Sequence, residues 1–368
     1  MIKKIVFCTL RDKKGATGGP GGVLYMLSQT LGAYIDGIPC EYQFNTIRTI
    51  KFRNLISRIN RFIFRLRCKI DCDTYYVTHD IETGAILAKL GKPYSLVYHN
   101  QGPIIQEKYN FGSKLSEEKL KYWKTCERLA FLGAKSLHFP SSGAAEMFFS
   151  NIYASCKKNE VNLSVPLYNT IPNENIKPVS GLDKKGDTLT FFSLGSLTEA
   201  KGQDRSILFI EKYLETYVGQ NIRYIVVGKG PLEQLICKKG AELMKLYPNF
   251  EFVYYNSLRH SEVAYVHEIS DVYLMLHRLS IFDFATLEAM FAKTAVVLSP
   301  VGGNIDFNKN DNIIFASGDY YTAIAQITAK EINKLKLLNY ETYQRYFSAS
   351  AFSIAYKEIV RKNILAYE

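Results

Sequence analysis

The sequence predicts an α/β protein made of two parallel-sheet domains. Its first half alternates short apolar strands with helical patterns, which is typical of a doubly wound sheet. A segment rich in proline, asparagine, lysine and glycine follows between residues 169 and 187, and the alternation restarts at Thr190. A chain of 368 residues is long for one domain and of ordinary size for two. We therefore expect one domain over residues 1–170 and a second over residues 171–350.

The individual elements are predicted from apolar runs that end in polar or glycine residues. The predicted strands are Lys3–Leu10, Thr74–Thr78, Ser95–Tyr98 and Ser136–Phe139 in the first half, and Thr190–Leu194, Arg223–Val227, Val272–Leu276 and Ala295–Ser299 in the second. A helix is predicted to begin near Thr286, which places Glu288 in its first turn. The final residues, 351–368, are predicted to be helical, with Ala351–Lys362 as the core of the helix.

Composition and charge restrict the class of protein. No apolar run approaches the ~20 residues that a membrane-spanning helix needs, and the N-terminus carries no signal-peptide pattern. The seven cysteines are odd in number and scattered, which predicts reduced thiols in a cytoplasmic protein without a zinc site. The Asp71-Cys72-Asp73 motif precedes a strand, and we interpret it as a turn. The sequence therefore predicts a cytoplasmic globular protein that needs no metal.

Glycine-rich and polar segments follow several of the predicted strands. These segments are Gly18-Gly-Pro-Gly-Gly22, Gly195-Ser-Leu-Thr-Glu-Ala-Lys-Gly202, Gly228-Lys-Gly-Pro231 and Gly302-Gly303. In parallel sheets the carboxyl ends of strands and the amino ends of helices meet in one crevice, where backbone N–H groups can hold a phosphate. The spacing therefore predicts a site for a phosphate-bearing ligand.

Taken in order, these motifs resemble the retaining family 4 glycosyltransferases of the GT-B fold, of the type that builds bacterial cell-surface polysaccharides or glycoconjugates. The resemblance implies an α/β architecture of two Rossmann-like domains facing a central cleft, an acceptor-binding domain followed by a nucleotide-sugar-binding domain. It implies transfer of a hexosyl unit from a nucleotide diphosphate sugar, expected to be a UDP-sugar, to a hydroxyl of a glycan or lipid-linked acceptor. The configuration at the anomeric carbon would be retained, without a cofactor or a metal.

The same resemblance implies roles for particular residues. Glu288, followed by Ala289, would bind the nucleotide ribose, Lys201 the diphosphate, and His99 would lie at the reacting sugar; His79 is a weaker candidate for the same site. The implied donor-binding residues are Gly21, Gly22, Ser196, Gly228, Gly230, Arg278, Ser280, Asp283, Gly302 and Gly303. The alternative is structural: an exposed helix glutamate, a solvated lysine and a hydrogen-bonded histidine.

Three positions depart from the family pattern. Ser280 stands where the family has a sugar-binding glutamate, Ser196 where it has a diphosphate-binding arginine, and Asp283 where it has a phosphate-facing glycine. We expect Asp283 to take over the sugar contact and Arg278 the phosphate contact. The departures also leave open a second function, that of a non-catalytic GT-B subunit which binds and stabilises a partner glycosyltransferase or its substrate.

The segment Ile47–Ile70 is strongly basic and contains no acidic residue. Arg58, Arg61, Arg65 and Lys69 are predicted to share one side of a helix, beside an apolar stripe on the other. This pattern suits a helix that lies in the interface of an anionic membrane, at the inner face of the cell membrane. Two alternatives are that the stripe faces the domain core, and that the net charge of +11 marks a nucleic-acid-binding protein. No nucleic-acid motif accompanies the charge, so we expect no nucleic acid partner.

Overall fold

The chain divides into two compact units. The first comprises Met1–Pro172 together with Ala349–Glu368, and the second comprises Asn173–Ser348. The computed structural model describes residues 2–12, 19–45, 53–110, 112–172 and 175–365. The first unit is discontinuous in sequence, because the final helix belongs to it.

Each unit is built around one sheet. The strands are β1 (Lys4–Cys8), β2 (Tyr34–Ile35), β3 (Ile38–Gln43), β4 (Thr74–Thr78), β5 (Tyr94–Val97) and β6 (Ser136–His138) in the first unit, and β7 (Thr188–Leu194), β8 (Asn221–Val227), β9 (Phe250–Tyr255), β10 (Val272–Met275), β11 (Ala295–Leu298) and β12 (Ile313–Phe315) in the second. The helices of the first unit are α1 (Gly19–Thr30), α2 (Arg53–Ile70), α3 (Ile81–Lys89), α4 (Ile104–Asn110), α5 (Glu117–Leu132) and α6 (Ser142–Phe149). Those of the second are α7 (Gln203–Thr216), α8 (Glu233–Leu246), α9 (His260–Ile269), α10 (Phe284–Phe291), α11 (Tyr321–Ala325) and α12 (Ala329–Thr342), and the returning helix is α13 (Ala349–Leu365).

The first sheet has the strand order β2-β3-β1-β4-β5-β6 over the described residues. Its pairs are parallel, apart from the short antiparallel pair β2–β3. Strands β4 and β5 are buried along their whole length, as central strands of a parallel sheet are. The chain order reverses between β1 and β4, and in such sheets ligands bind beyond the carboxyl ends of the strands at this reversal.

The second sheet has the order β12-β11-β10-β7-β8-β9 and is parallel throughout the described part of the chain. Its chain order reverses between β7 and β10. The loops that follow these two strands therefore lie side by side at the carboxyl edge of the sheet. These are the loops that carry Lys201 and Asp283.

The cores of the two units are separate apolar clusters. In the first, Leu24 and Leu27 of α1 pack with Phe7 of β1 and with Tyr356 and Val360 of α13. In the second, side chains of α7, α8 and the central strands form the cluster, including Phe209, Ile210 and Val226. The α/β fold class of two Rossmann-like domains is confirmed, and each predicted strand lies within two residues of an observed one.

Helix α2 does not bury the apolar stripe that the sequence predicts. Its buried residues are Asn60, Phe64 and Cys68, whereas Phe62 is 61% exposed and Ile70 is 80% exposed. The apolar stripe is therefore on the surface, beside exposed Arg58, Arg65 and Lys69. Residues 47–52 of the predicted segment lie outside the described residues. None of the described helices combines the length and the apolar character needed to cross a membrane.

Candidate nucleotide-sugar site

An ion pair joins the two loops at the reversal point of the second sheet. The Lys201 ammonium lies 2.6 Å from Oδ1 of Asp283, across 82 positions of sequence. Asp283 is also the N-cap of α10, because its side chain accepts from the backbone N–H of Thr286. The helix therefore begins at Phe284, and the predicted start near Thr286 is wrong by two residues. The capping carboxylate at Asp283 explains the earlier start.

Both oxygens of Asp283 accept hydrogen bonds within the unit. Besides Lys201, it accepts from the hydroxyl of Tyr273 and from the N–H and hydroxyl of Thr286, each at 3.2 Å. Burial alone would raise the pKa of Asp283, but Lys201 and His277 together outweigh it and hold that pKa well below its usual range. The sugar contact of Asp283 stays a prediction, and it would have to be made alongside these hydrogen bonds. The carboxylate fixes Lys201 and the start of α10.

Arg278 is held in a second ion pair. Its guanidinium donates to both oxygens of Asp204, at 2.8 and 2.6 Å, and to the carbonyl of Glu199 at 2.8 Å. This bidentate pair uses the fork that would hold a phosphate, so the diphosphate contact predicted for Arg278 would require it to leave Asp204. Asp204 is 74 positions away in sequence, so no local pattern announces the pair.

Glu288 lies in the second turn of α10 rather than in its first. Its carboxylate is part-exposed and is 3.6 Å from Nε2 of His267, a residue of α9 that is 1% exposed. Neither ring nitrogen of His267 has a hydrogen-bond partner among the described residues. His267 was not predicted as part of the site, since a lone histidine within a helix carries no local signal. His267 is therefore a buried polar neighbour of the Glu288 carboxylate.

His277 is another residue that the sequence did not single out. It lies two residues after the end of β10, it is fully buried, and its Nε2 is 3.7 Å from Oδ1 of Asp283. The amide of Asn304 lies 3.3 Å from its Nδ1. Its position after a strand, like that of His99, was the available signal. With Lys201 and Tyr273, it surrounds the Asp283 carboxylate.

Glycines in this unit serve contacts between loops. A Cβ on Gly228 would lie 1.9 Å from the carbonyl oxygen of Gly195, and one on Gly230 would lie 2.4 Å from that of Leu197. These glycines are required because two loops approach each other backbone to backbone. We predicted that the backbone at these glycines approaches a ligand closely. The structure shows a close approach to a neighbouring loop.

The remaining predicted donor-binding residues of this unit lie on the same loops. Ser196 is exposed, whereas Ser280 is 6% exposed and its hydroxyl has no partner among the described residues. The N–H of Gly303 donates to the Ser280 carbonyl at 2.8 Å. Gly302 opens a short 3₁₀ turn, Gly302–Phe307, with a φ of 49°. The Gly302-Gly303 turn therefore packs against the loop that carries Ser280.

The glycine-rich loop of the first unit is described only from Gly19 onward, so Gly18 lies outside the described residues. Gly21 and Gly22 are buried in the first turn of α1. A Cβ on Gly21 would lie 2.5 Å from the carbonyl oxygen of Asp12, at the other side of the loop. A side chain at this position would push the loop and the helix apart.

The two histidines at the carboxyl ends of β4 and β5 contact each other. Nδ1 of His79 is 3.0 Å from Nε2 of His99, and their rings are stacked with centroids 5.3 Å apart. Tyr356 of α13 stacks on the other side of His79 at 5.9 Å. Burial lowers the pKa of His99 to about 4 and that of His79 well below its usual range. Both rings are therefore neutral near pH 7.

A buried carboxyl fastens the loop that follows His99. Oε1 of Glu127, in α5, accepts from the Tyr98 hydroxyl at 2.5 Å and from the N–H of Ile104 at 2.7 Å. Burial raises the pKa of Glu127 to about 7, although these hydrogen bonds act in the other direction. Glu127 was not predicted, because its partners lie far from it in sequence.

The described part of the chain contains no cluster of three or more side chains that could bind a metal ion. Asp71 and Asp73 precede β4 and form ion pairs with Lys4 at 2.9 Å and with Lys3 at 3.1 Å. This agrees with the interpretation of the motif as a turn. All seven cysteines are free thiols.

Comparison with known proteins shows what the second unit resembles. Residues 174–346 match the family described as Glycosyl transferases group 1, which covers nearly all of this unit. Over 212 residues the chain is 25% identical to the GPI3 subunit of phosphatidylinositol N-acetylglucosaminyltransferase of Saccharomyces cerevisiae strain YJM789, and 26% identical to that of strain RM11-1a. Each alignment covers 53% of this chain and 45% of the yeast protein. The chain thus spans about half the length of the curated relatives it matches.

Solved structures resemble both units together. Sucrose-phosphate synthase from Thermosynechococcus elongatus has a TM-score of 0.68 at 14% identity, with 99% of this chain and 100% of that chain covered. Anabaena HepE in complex with UDP and glucose has a TM-score of 0.61 at 15% identity, with 98% and 100% covered. At these identities the likeness concerns the fold, and it confirms two Rossmann-like domains of the GT-B type.

Proposed function

We propose that the protein transfers a hexosyl unit from a UDP-sugar to a hydroxyl of a glycan or lipid-linked acceptor, with retention at the anomeric carbon. The observation that carries the proposal is the position of Lys201. It lies at the reversal point of the second sheet, in the region that matches the group 1 glycosyltransferases. It is paired with Asp283, the N-cap of α10, and Glu288 lies in the same helix. A UDP-sugar is favoured because the similar structure of Anabaena HepE holds UDP and glucose.

The chemistry asks the protein to stabilise a leaving group. As the bond between the anomeric carbon and the diphosphate breaks, negative charge grows on the departing phosphate oxygen, and Lys201 would balance it. The acceptor hydroxyl would form the new bond on the same face of the sugar, and its proton would pass to the departing phosphate oxygen. Glu288 would hold the ribose hydroxyls. No step in this scheme uses a protein nucleophile or a metal.

Donor turnover provides the test. Purified protein is incubated with UDP- and GDP-sugars, and free nucleotide is measured with and without EDTA. We expect slow hydrolysis of one UDP-sugar that survives the chelator, and a rise in the unfolding temperature with UDP. Loss of turnover with EDTA and its return with Mn²⁺ or Mg²⁺ would contradict the metal-free scheme. Absence of both turnover and stabilisation would contradict the proposal as a whole.

A second function has support of its own. Ser196 and Ser280 replace the family's charged groups, and Arg278 is held by Asp204, so the site has one cation where the family has two. The yeast relatives are themselves subunits of an N-acetylglucosaminyltransferase. A non-catalytic subunit would bind a partner glycosyltransferase without hydrolysing a donor. The stabilisation by UDP distinguishes the two functions, because only the enzyme requires it.

We also propose that the protein works at the cytoplasmic face of an anionic membrane, with α2 in the lipid interface. Leu55, Phe62 and Ile70 are 56%, 61% and 80% exposed along one stripe, which gives apolar area to bury. Exposed Arg58 and Lys69 add electrostatic attraction, at about 1 kcal/mol per cation near an anionic leaflet.

One of the cations predicted to contact lipid does not belong to this surface. The Arg61 guanidinium lies 2.8 Å from Oε1 of Glu82, and it also contacts the hydroxyl of Tyr122. Arg61 therefore fastens α2 to its own unit. The lipid-facing set is Arg58, Arg65 and Lys69.

Vesicle sedimentation tests the membrane proposal. We expect binding to vesicles with anionic lipid, weaker binding at high salt, and a clear loss for the Phe62→Ser variant and for Arg58, Arg65 and Lys69 changed together to Gln. Leu337→Ser is the matched control, since Leu337 in α12 is 60% exposed but lies in the second unit. Equal binding to neutral and anionic vesicles, or binding to neither, would contradict the proposal.

A further inference from the structure

We propose that His79 is a positioning residue that fixes the tautomer of His99, so that His99 presents an N–H donor to the ligand. This inference rests on the proposed function for the role of His99, but its physical basis is the histidine pair itself. The pair lies where β4 and β5 end, beside the reversal point of the first sheet.

The geometry allows one proton between the two rings. Nδ1 of His79 and Nε2 of His99 are 3.0 Å apart, so one of them donates and the other accepts. If His99 donates, the neutral His79 must carry its proton on Nε2. If His79 donates, its Nε2 is a bare acceptor and the proton of His99 is on Nδ1.

The surroundings of His79 decide between these arrangements. His79 is 1% exposed, and its Nε2 has no hydrogen-bond partner among the described residues. The Tyr356 ring that stacks on it brings no partner either, because its buried hydroxyl is also unpaired within the described ranges. An orphaned buried N–H is rarer in folded proteins than an under-used acceptor. The arrangement with His79 as donor is therefore favoured.

The consequence falls on His99, which is only half-buried. With Nε2 occupied as the acceptor, its proton is placed on Nδ1, the nitrogen outside the pair. His99 then offers a neutral N–H to a ligand oxygen such as a sugar hydroxyl. The hydrogen bond at one ring nitrogen sets the function of the other, as is general for histidine.

Nitrogen NMR of the histidine rings tests the inference directly. The chain has six histidines, so single substitutions can assign their signals. In the wild type we expect His99 to show a protonated Nδ1 and a bare Nε2. His79→Phe keeps an aromatic ring against Tyr356 but removes the donor, so the His99 signals should move toward an average of both tautomers. His79→Asn places an amide donor near the same point and should restore the bias.

Turnover of the donor gives the second readout. We expect His79→Phe to lower kcat by roughly tenfold or more with little change in donor KM, because the wrong tautomer of the active-site histidine is costly in serine proteases. His79→Asn should recover most of the loss. The control is His138→Asn, since His138 is buried in the same sheet but has both ring nitrogens partnered, by the Val165 carbonyl and the Ser136 hydroxyl. It should leave the His99 signals unchanged.

The outcomes separate this inference from the proposed function. A bare Nδ1 on His99 in the wild type, or unchanged His99 signals in His79→Phe, would overturn the positioning role. If the predicted tautomer is seen in a protein that turns over no donor, the histidine pair stands and the proposed function fails. The wild-type spectrum alone is decisive even where His79→Phe does not fold.

Discussion

The ionisable groups near the carboxyl edges of the two sheets differ in how their charge is handled. In the first unit, burial leaves His79 and His99 uncharged and raises the pKa of Glu127 to about 7. In the second unit, the groups keep their charges, because Lys201 is paired with Asp283 and Arg278 with Asp204. Burial thus disfavours charge on these groups of the first unit, whereas ion pairs balance the charges of the second.

The difference shows what each edge offers a ligand. A paired ammonium still carries its charge, so a diphosphate can share Lys201 with Asp283 or draw it away. A neutral histidine contributes hydrogen bonds without attracting anions. Under the function proposed above, Lys201 would bind the leaving group, and His99 would contact hydroxyl groups. Four predictions test this division, beginning with the largest expected effect.

Removing the cation of the paired edge should have the largest effect. We expect Lys201→Ala to lower kcat on the order of 100-fold, more than it weakens donor affinity, because the charge acts as the bond breaks. The variant should also lose about 2–3 kcal/mol of unfolding free energy, since Asp283 is left as a buried unpaired charge. Steady-state kinetics and urea unfolding measure the two effects.

A double variant separates these effects. Lys201→Ala combined with Asp283→Asn should regain most of the lost stability but none of the lost turnover. Asp283→Asn alone should retain the cation while weakening its placement. Equal kcat in Lys201→Ala and wild type would remove Lys201 from the reaction.

Unlike Asp283, Glu288 has no lysine or arginine partner at hydrogen-bonding distance in the described structure, so it should respond to loss of charge alone. Glu288→Gln should weaken donor binding by about 1.5–3 kcal/mol while the fold stays intact. Titration with UDP and kcat/KM for the donor measure the change. Glu242→Gln, on the exposed side of α8, is the control. Wild-type kinetics in Glu288→Gln would exclude a ribose contact.

The raised pKa of Glu127 predicts that the stability of the protein depends on pH. Its pKa rises from about 4.3 in an unfolded chain to about 7 in the fold, so ionisation costs stability as the pH rises through this window. Between pH 5 and 8 the wild type should therefore lose about 2 kcal/mol relative to Glu127→Gln. Unfolding in urea at both pH values measures this, with Glu146→Gln in α6 as an exposed control. Parallel pH profiles of wild type and Glu127→Gln would mean that Glu127 is not neutralised by the fold.

The smallest effect is expected at Arg278, whose pair with Asp204 is part-exposed. Arg278→Gln should change the unfolding free energy by no more than about 1 kcal/mol and kcat by less than about threefold. A loss of turnover comparable to that of Lys201→Ala would show that Arg278 leaves Asp204 to bind the diphosphate. Asp204→Asn, which frees Arg278, measures the same competition from the other side.

The sequence was informative where local rules decide the structure. Strands such as Thr74–Thr78 were predicted because aromatic and β-branched residues between polar ends form central strands. The start of α10 was missed by two residues, although Asp283 followed by Thr286 is a local N-cap signal. The order of the motifs was sufficient to predict two Rossmann-like domains.

Local sequence rules could not predict the side-chain contacts within the candidate site. Lys201 and Asp283 are 82 positions apart, and a side-chain contact of that kind depends on which strands become neighbours. The same holds for His79 and His99, which meet because β4 pairs with β5. Helix α2 shows a third limit: its amphipathic pattern was evident, but the burial of Asn60 and Cys68 rather than the apolar stripe depends on the packing of the whole unit.

Helix α13 has a consequence for biosynthesis. It follows the whole second unit in the sequence, yet Phe352, Tyr356 and Val360 belong to the core of the first unit, and its Asn363 donates to Ser95 and Ser136. The second unit is continuous in sequence and has all of its strands earlier, so it can complete its folding during translation while the first unit waits. The ring that stacks on His79 arrives with this final segment. The stacking of Tyr356 on His79 can thus form only after the chain has been synthesised through the whole second unit.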